Sequence, residues 1–357
     1  MSVRRIVLAP LAWLYGAALL VRHALYDAGV LRSVRPAVPT IAIGNLAFGG
    51  TGKTPMLELV LRTLQDSAPL AALSRGYGRH RNEVHEVAAT DTADVSGDEP
   101  VQVKRKFPAV RVFVGADRVR AIAHMEQVVP GLRAVVLDDA LQHRRLNAGL
   151  NLLLTTYQRP WCSDALFPAG HLRDLPDRHK AAHIVVVTKC PARPTPDEQR
   201  EWRERLGLRD DQELFFSGIV YEALSRATPG SSDAEGPTSD PGTTNFLLVT
   251  GIADPGPLAE QLRARSTAFE HITFPDHHAF TSADLARIAA RYATFAAGPK
   301  TLVTTEKDAV RLLPMIAGSP LEQVPLATIG MRAEILNTPE RFAELIRRHV
   351  GTHPAHR

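Results

Sequence analysis

The run Gly49-Gly50-Thr51-Gly52-Lys53-Thr54 combines the residue types and spacing best suited to hold a phosphate. Glycines let successive backbone N–H groups converge on phosphate oxygens without Cβ clashes, and a helix beginning where the run ends adds its positive pole. Lys53 would reach the β- and γ-phosphates as a point charge, and the Thr54 hydroxyl would ligate Mg²⁺. The usual pattern has one more glycine, five residues before Gly52, where this chain has Ala47. A second signal lies at Ala134-Val135-Val136-Leu137, an apolar strand ending in Asp138-Asp139. Carboxylates at that edge occupy the Walker B place, where an acid holds Mg²⁺ directly or through water. Val185-Val186-Val187-Thr188-Lys189 begins like a guanine-recognition element, but the Asp such an element needs is Pro191, so ATP is the expected nucleotide.

Three more polar clusters have no periodic explanation. Ser74-Arg75-Gly76-Tyr77-Gly78-Arg79 follows a short apolar strand and offers two guanidinium forks suited to phosphate or carboxylate. Gly97-Asp98-Glu99-Pro100 presents two acids at an expected turn, and Phe274-Pro275-Asp276-His277-His278 a carboxylate and two imidazoles in an expected loop. Phosphoryl transfer to an alcohol needs a base near the acceptor hydroxyl, which an Asp oriented by a His supplies.

The elements that must position these groups alternate in type. Strand-like apolar runs fall at 39–43, 109–114, 134–137, 150–154, 183–187, 246–249 and 301–303, and helical spacing at 55–64, 118–128, 196–206, 257–264 and 282–295. Buried strands alternating with helices predict an α/β fold: a P-loop NTPase-like, mostly parallel sheet flanked by helices, with a smaller C-terminal α/β domain. Prolines crowd after Lys189, giving expected bounds of 37–190 for a nucleotide-binding domain and 191–345 for the second. Residues 225–244 are rich in Ser, Gly, Pro and Thr and read as a flexible insertion.

Of the 357 residues, 45% are hydrophobic and 22% charged, enough for a large core and too ordered a composition for disorder. A net charge of +4 and 6% aromatic residues argue against a nucleic-acid binder, and two cysteines cannot build a disulfide framework. The positive surplus sits at the start: residues 1–36 hold five arginines and one acid, Asp27. The apolar run Ile6–Val21 between Arg5 and Arg22 is shorter than the ~20 residues that span a bilayer. Trp13, Tyr15 and the arginines fit a helix lying in the membrane interface.

Taken together, Ile43-Gly44-Asn45-Leu46, Gly49 to Pro55, Ser74 to Gly78, Gly97 to Pro100, Leu137 to His143, Phe167-Pro168-Ala169-Gly170-His171-Leu172-Arg173, Phe274 to His278 and Thr304-Thr305-Glu306-Lys307-Asp308 form an ordered set. The set resembles the tetraacyldisaccharide 4′-kinase family, the lipid A 4′-kinases of Gram-negative bacteria, over nearly the whole chain. The resemblance implies phosphorylation by ATP of the 4′-hydroxyl of a tetraacyldisaccharide 1-phosphate, giving lipid IV-A, at the cytoplasmic face of the inner membrane. It implies a glycolipid substrate and a membrane surface as partners, and neither nucleic acid nor an obligate protein partner. It implies that Lys53 and Thr54 serve the phosphates and Mg²⁺, that Asp98 with His277 is the base, and that Glu99, Asp138 and Asp139 serve the metal. Arg75 and Tyr77 are expected near the sugar-phosphate head group. Asp98 and His277 lie on either side of the expected domain junction, so closure of the domains over ATP is expected to bring them together. Two other readings are a soluble small-molecule kinase with a degenerate phosphate loop, which gives no reason for the basic, apolar N-terminus, and a nucleotide-switch protein, against which Pro191 weighs.

Overall fold

The computed structural model describes residues 3–76, 79, 83–227 and 245–353. Tyr77 and most of the expected insertion, residues 228–244, lie outside them. The elements run α1 (Val3–Asp27), β1 (Thr40–Asn45), α2 (Lys53–Thr63), β2 (Leu70–Ser74), β3 (His85–Glu86), α3 (Ala93–Ser96), α4 (Asp98–Lys106), β4 (Arg111–Val114) and α5 (Arg118–Val128). There follow β5 (Ala134–Asp138), β6 (Leu150–Thr156), β7 (Ile184–Thr188), α6 (Pro196–Arg205), β8 (Glu213–Arg226), β9 (Asn245–Thr250), α7 (Gly256–Arg263) and β10 (Phe269–Thr273). The chain ends with α8 (Ser282–Thr294), β11 (Lys300–Thr305), α9 (Glu306–Leu312), β12 (Leu326–Ile335) and α10 (Pro339–Gly351).

The strands form one twelve-stranded sheet in the order β10-β9-β11-β12-β8-β7-β6-β1-β5-β2-β4-β3. Pairing is parallel except between β12 and β8 and between β3 and β4. Every residue of β1, β5, β7 and β9 is buried, as expected of strands covered on both faces. The α2 residues Met56, Leu57, Val60 and Leu61 fill one face of the sheet together with Phe342, Leu345 and Ile346 of α10. Ala121, Ile122 and Met125 of α5 fill the other.

The alternating α/β pattern is the fold observed. The expected helices at 118–128, 196–206, 257–264 and 282–295 are α5 to α8, the first with identical bounds. Local chemistry sets their starts: Thr195 and Glu198 make a capping box at α6, and Thr281 and Asp284 another at α8. Two readings are corrected. Gly97-Asp98-Glu99-Pro100 is not a free turn: Asp98 opens α4, so both acids sit at a helix N-terminus, where the dipole favours negative charge. Residues 225–226, expected in the flexible insertion, end the unanticipated strand β8, which runs parallel to β7 up to Phe216 and antiparallel to β12 from Ser217.

The helix α1 spans 25 residues, longer than its central apolar run, and residues 5–27 are long and apolar enough to cross a membrane by length and composition. Its inner face is tied to the protein. The Tyr15 hydroxyl donates to the Arg173 carbonyl at 2.7 Å, Arg22 donates to the Gln142 carbonyl at 2.8 Å, and buried His23 bonds Asp174 at 2.7 Å. The outer face leaves Ile6, Val7, Leu11, Trp13, Leu14, Leu20 and Val21 exposed, Trp13 by 79%.

Candidate active site

The phosphate loop leaves β1 where strand order diverges to β5 on one side and β6 on the other, the crevice in which open α/β sheets bind ligands. Asn45 braces the loop from its first residue, its Nδ2 donating to the Ala47 carbonyl and to Thr51 Oγ1, each at 2.8 Å. The Thr188 hydroxyl, at the end of β7, donates to the Thr51 carbonyl at 2.8 Å. Gly52 precedes α2 at φ +84°, a conformation that L side chains rarely adopt. Lys53 and Thr54 then open the helix, half-buried, with its free N–H groups around them.

The two acids after β5 take different partners. Arg173 donates from both terminal nitrogens to Asp139, and one of these nitrogens also donates to Asn45 Oδ1. Burial raises the Asp139 pKa, but the Arg173 hydrogen bonds, with Lys53 and Arg118, outweigh it and hold the carboxyl below its ordinary range. Among the described residues, Asp138 accepts a single long hydrogen bond, from the Ser74 hydroxyl at 3.3 Å, and its buried Oδ1 has no hydrogen-bond partner. Burial first, and then the negative charge of Glu99, push its carboxyl up to about 7. Thr54, Ser74, Glu99 and Asp138 line one small cleft, shared with the apolar Leu57, Ala72, Leu73, Pro100, Val103 and Val112. Among the described residues no three His, Cys, Asp or Glu side chains are grouped to hold a metal. What the cleft offers is an orphaned carboxylate oxygen, a second carboxylate and hydroxyls. Those hard oxygen donors fit Mg²⁺, which keeps several waters and takes one or two carboxylates plus phosphate oxygens.

Asp98 and His277, expected to act together, are in contact. His277 Nδ1 lies 2.9 Å from Asp98 Oδ2, and a carboxylate only accepts, so the ring nitrogen donates. Lys307 Nζ lies 3.1 Å from Nε2 of the same ring, 3.3 Å from Glu99 and 3.4 Å from Asp276. Asp276 Oδ2 lies 3.8 Å from the same Nε2, so the ring is held between Asp98 on one side and Lys307 and Asp276 on the other. The hydrogen bond to Asp98 raises the His277 pKa above its ordinary value, against burial and the Lys307 charge. Burial disfavours the Asp98 anion, but His277, Lys307 and Arg311 together hold its carboxyl below the usual range. The approach of His277 to Asp98 that closure was expected to produce is already complete.

Lys53, Thr54, Glu99, Asp138 and Asp139 thus gather at one edge of the sheet, and Lys307 links Glu99 to the Asp98–His277 pair. Arg75 is exposed just beyond β2, with its charge felt at Arg118. Three residues gained no role from sequence reasoning: Asn45, Arg173 and Lys307. Each stands inside a motif that was noticed, and each is defined only by partners far away in sequence, such as Arg173 with Asp139.

The family model for tetraacyldisaccharide-1-P 4′-kinase matches residues 4–351. A tetraacyldisaccharide 4′-kinase of Bacteroides thetaiotaomicron is 41% identical over 313 residues, covering 86% of this chain and 82% of that protein. Its counterpart in Parabacteroides distasonis is 38% identical over 353 residues, covering 97% and 95%. A crystal structure of LpxK from Aquifex aeolicus in complex with ATP superposes with a TM-score of 0.72 at 25% identity, covering 97% of this chain and 99% of that one. A match over nearly the entire length, in sequence and in fold, places this chain in the tetraacyldisaccharide-1-P 4′-kinase family.

Proposed function

We propose that this protein transfers the γ-phosphoryl group of ATP to the 4′-hydroxyl of a tetraacyldisaccharide 1-phosphate, giving lipid IV-A in lipid A biosynthesis. The observation that carries the reading is the hydrogen-bonded Asp98–His277 pair beside the phosphate loop. A carboxylate oriented by an imidazole supplies the base that an attacking hydroxyl needs.

In this reading the loop amides from Gly49 to Gly52, with Thr51 and Lys53, hold the β- and γ-phosphates. Thr54, Asp138 and Glu99 would hold Mg²⁺, and Arg173 keeps Asp139 ionised as a fixed negative charge behind them. Bound Mg²⁺ supplies charge neutralisation at the phosphate oxygens. Asp98 takes the proton of the attacking hydroxyl, oriented by His277, whose ring is fixed from its other side by Lys307. Little covalent work falls to the protein: alignment and electrostatics account for the rate. Arg75 and Tyr77 are assigned to the head group of the acceptor.

The helix α1 lies along the membrane surface of the cytoplasmic face rather than across the bilayer. Its inner face is occupied by hydrogen bonds to the protein, and its outer face is apolar. The experiment is transfer of labelled phosphate from ATP to the disaccharide 1-phosphate lipid in detergent, with simple sugars as control acceptors. Label in the lipid, abolished in Asp98→Asn, supports the reading; label in simple sugars alone refutes it.

A further inference from the structure

We propose that Lys106, with the three carboxylates gathered on it, is a positioning residue that sets the helix of the phosphate loop against the helix of the base. The inference rests on the phosphotransferase reading above. Lys106 Nζ lies 3.1 Å from Glu58, 2.9 Å from Glu306 and 3.4 Å from Glu222. Gln102, one turn earlier, donates to Glu58 at 3.2 Å and to Glu306 at 3.3 Å. Glu58 is completely buried. Arg62 stands 3.5 Å from it as a second, more exposed cation.

The members come from four elements, three of which carry the chemistry. Glu58 is on α2, which opens with Lys53 and Thr54; Lys106 and Gln102 are on α4, which opens with Asp98 and Glu99. Glu306 opens α9, followed at once by Lys307. Glu222 belongs to β8. Lys106 is therefore eight residues, about 12 Å along one rigid helix, from Asp98. A lever of that length turns a small shift at the cluster into a displaced base.

The fold makes room for the cluster. On β12 the register with β8 shifts between Ile329 and Met331, and a Cβ on the intervening Gly330 would fall 2.2 Å from Glu222 Oε2 and 2.9 Å from Glu306 Oε1. The backbone is thus shaped to the carboxylates. Burial pushes the Glu58 carboxyl up, and the Lys106 charge opposes this; Glu58 and Glu306 in turn raise the Lys106 pKa against its own burial. Apolar side chains would pack such a site as stably, so a buried charge cluster is better understood through the register it specifies. Without Lys106, Glu58 of α2 and Glu306 of α9 face each other across the same space with their main cation gone.

The test uses the full chain in detergent, with kcat for lipid phosphorylation, ATP affinity by calorimetry and thermal unfolding measured on each variant. Lys106→Met is expected to lower kcat roughly 10–100-fold, the scale of a displacement near 1 Å, with ATP affinity within about twofold. Lys106→Arg should recover most of the loss, and adding Glu58→Gln to Lys106→Met should recover part of it. A folded Lys106→Met with kcat within about twofold of the parent overturns the proposal, as does an equal fall in kcat and ATP affinity. Should Lys106→Met not fold, Glu306→Gln gives the same reading: a kcat loss at constant ATP affinity supports the proposal and an unchanged kcat overturns it. A parent protein that does not phosphorylate the lipid would instead sink the kinase reading, so the two failures are separable.

Discussion

The ten residues from Asn45 to Thr54 shape a phosphate cradle from backbone and short-range hydrogen bonds, whereas Asp98 and His277 meet across 179 positions of sequence. The cradle depends on one strand, one turn and one helix start. The base depends on α4, on the loop after β10 and on α9, and therefore on both halves of the sheet being joined through β8 and β12. The first side gains its charge from fixed dipoles and one lysine. On the second, partners at three sites set the protonation of a single carboxylate. In the proposed reading, binding of the donor nucleotide is thus a local property of this chain, while activation of the acceptor is a property of the whole fold.

Substitutions that separate the two sides test this contrast, beginning with the largest effect. Asp98→Asn should lower turnover by about 10²–10⁴-fold while ATP affinity stays near that of the parent, which calorimetry beside a transfer assay will show. Lys53→Ala should lower turnover by roughly 10²–10³-fold and weaken ATP binding as well; its Asp98–His277 contact should survive, read from the His277 ring resonances. His277→Ala should cost less, roughly 10–10³-fold, because the ring orients a base rather than replacing one.

A smaller effect belongs to His349 of α10, whose ring lies 3.2 Å from the carbonyl of Thr40, the first residue of the strand before the cradle. Burial pushes its pKa down to about 4 from an ordinary 6.5. Between those values the unfolded chain binds a proton that the folded chain does not, so stability falls as pH falls through this window. His349→Gln should flatten that part of the melting-temperature profile and leave turnover near neutrality unchanged. The smallest effect on chemistry is expected from Trp13→Ser with Leu14→Ser on the outer face of α1: turnover in detergent within about twofold, with reduced recovery on anionic vesicles.

The same contrast explains what could be read in advance. The Gly-Lys-Thr turn, the strand ending in Asp138 and the helix α5 are written in consecutive residues, since glycine, apolar runs and the Asp117 cap act over a few positions. The strand β8 was missed because its burial changes character where it changes partner, so no single period covers it. Asp138 and Asp139 look alike as neighbours. Only Arg173, 34 positions away, makes one a paired charge and leaves the other with an orphaned oxygen. Lys307 sits in a motif without a role because its meaning is the contacts it makes with Glu99, Asp276 and His277.

Arg173 also has consequences for handling the enzyme. Its guanidinium grips Asp139 and Asn45 while its carbonyl receives the Tyr15 hydroxyl of α1. Trimming the N-terminus to obtain a detergent-free preparation would therefore cut away a strut beneath the nucleotide pocket along with the greasy surface. Altering the outward side chains alone is the route to a water-soluble catalyst that keeps its footing.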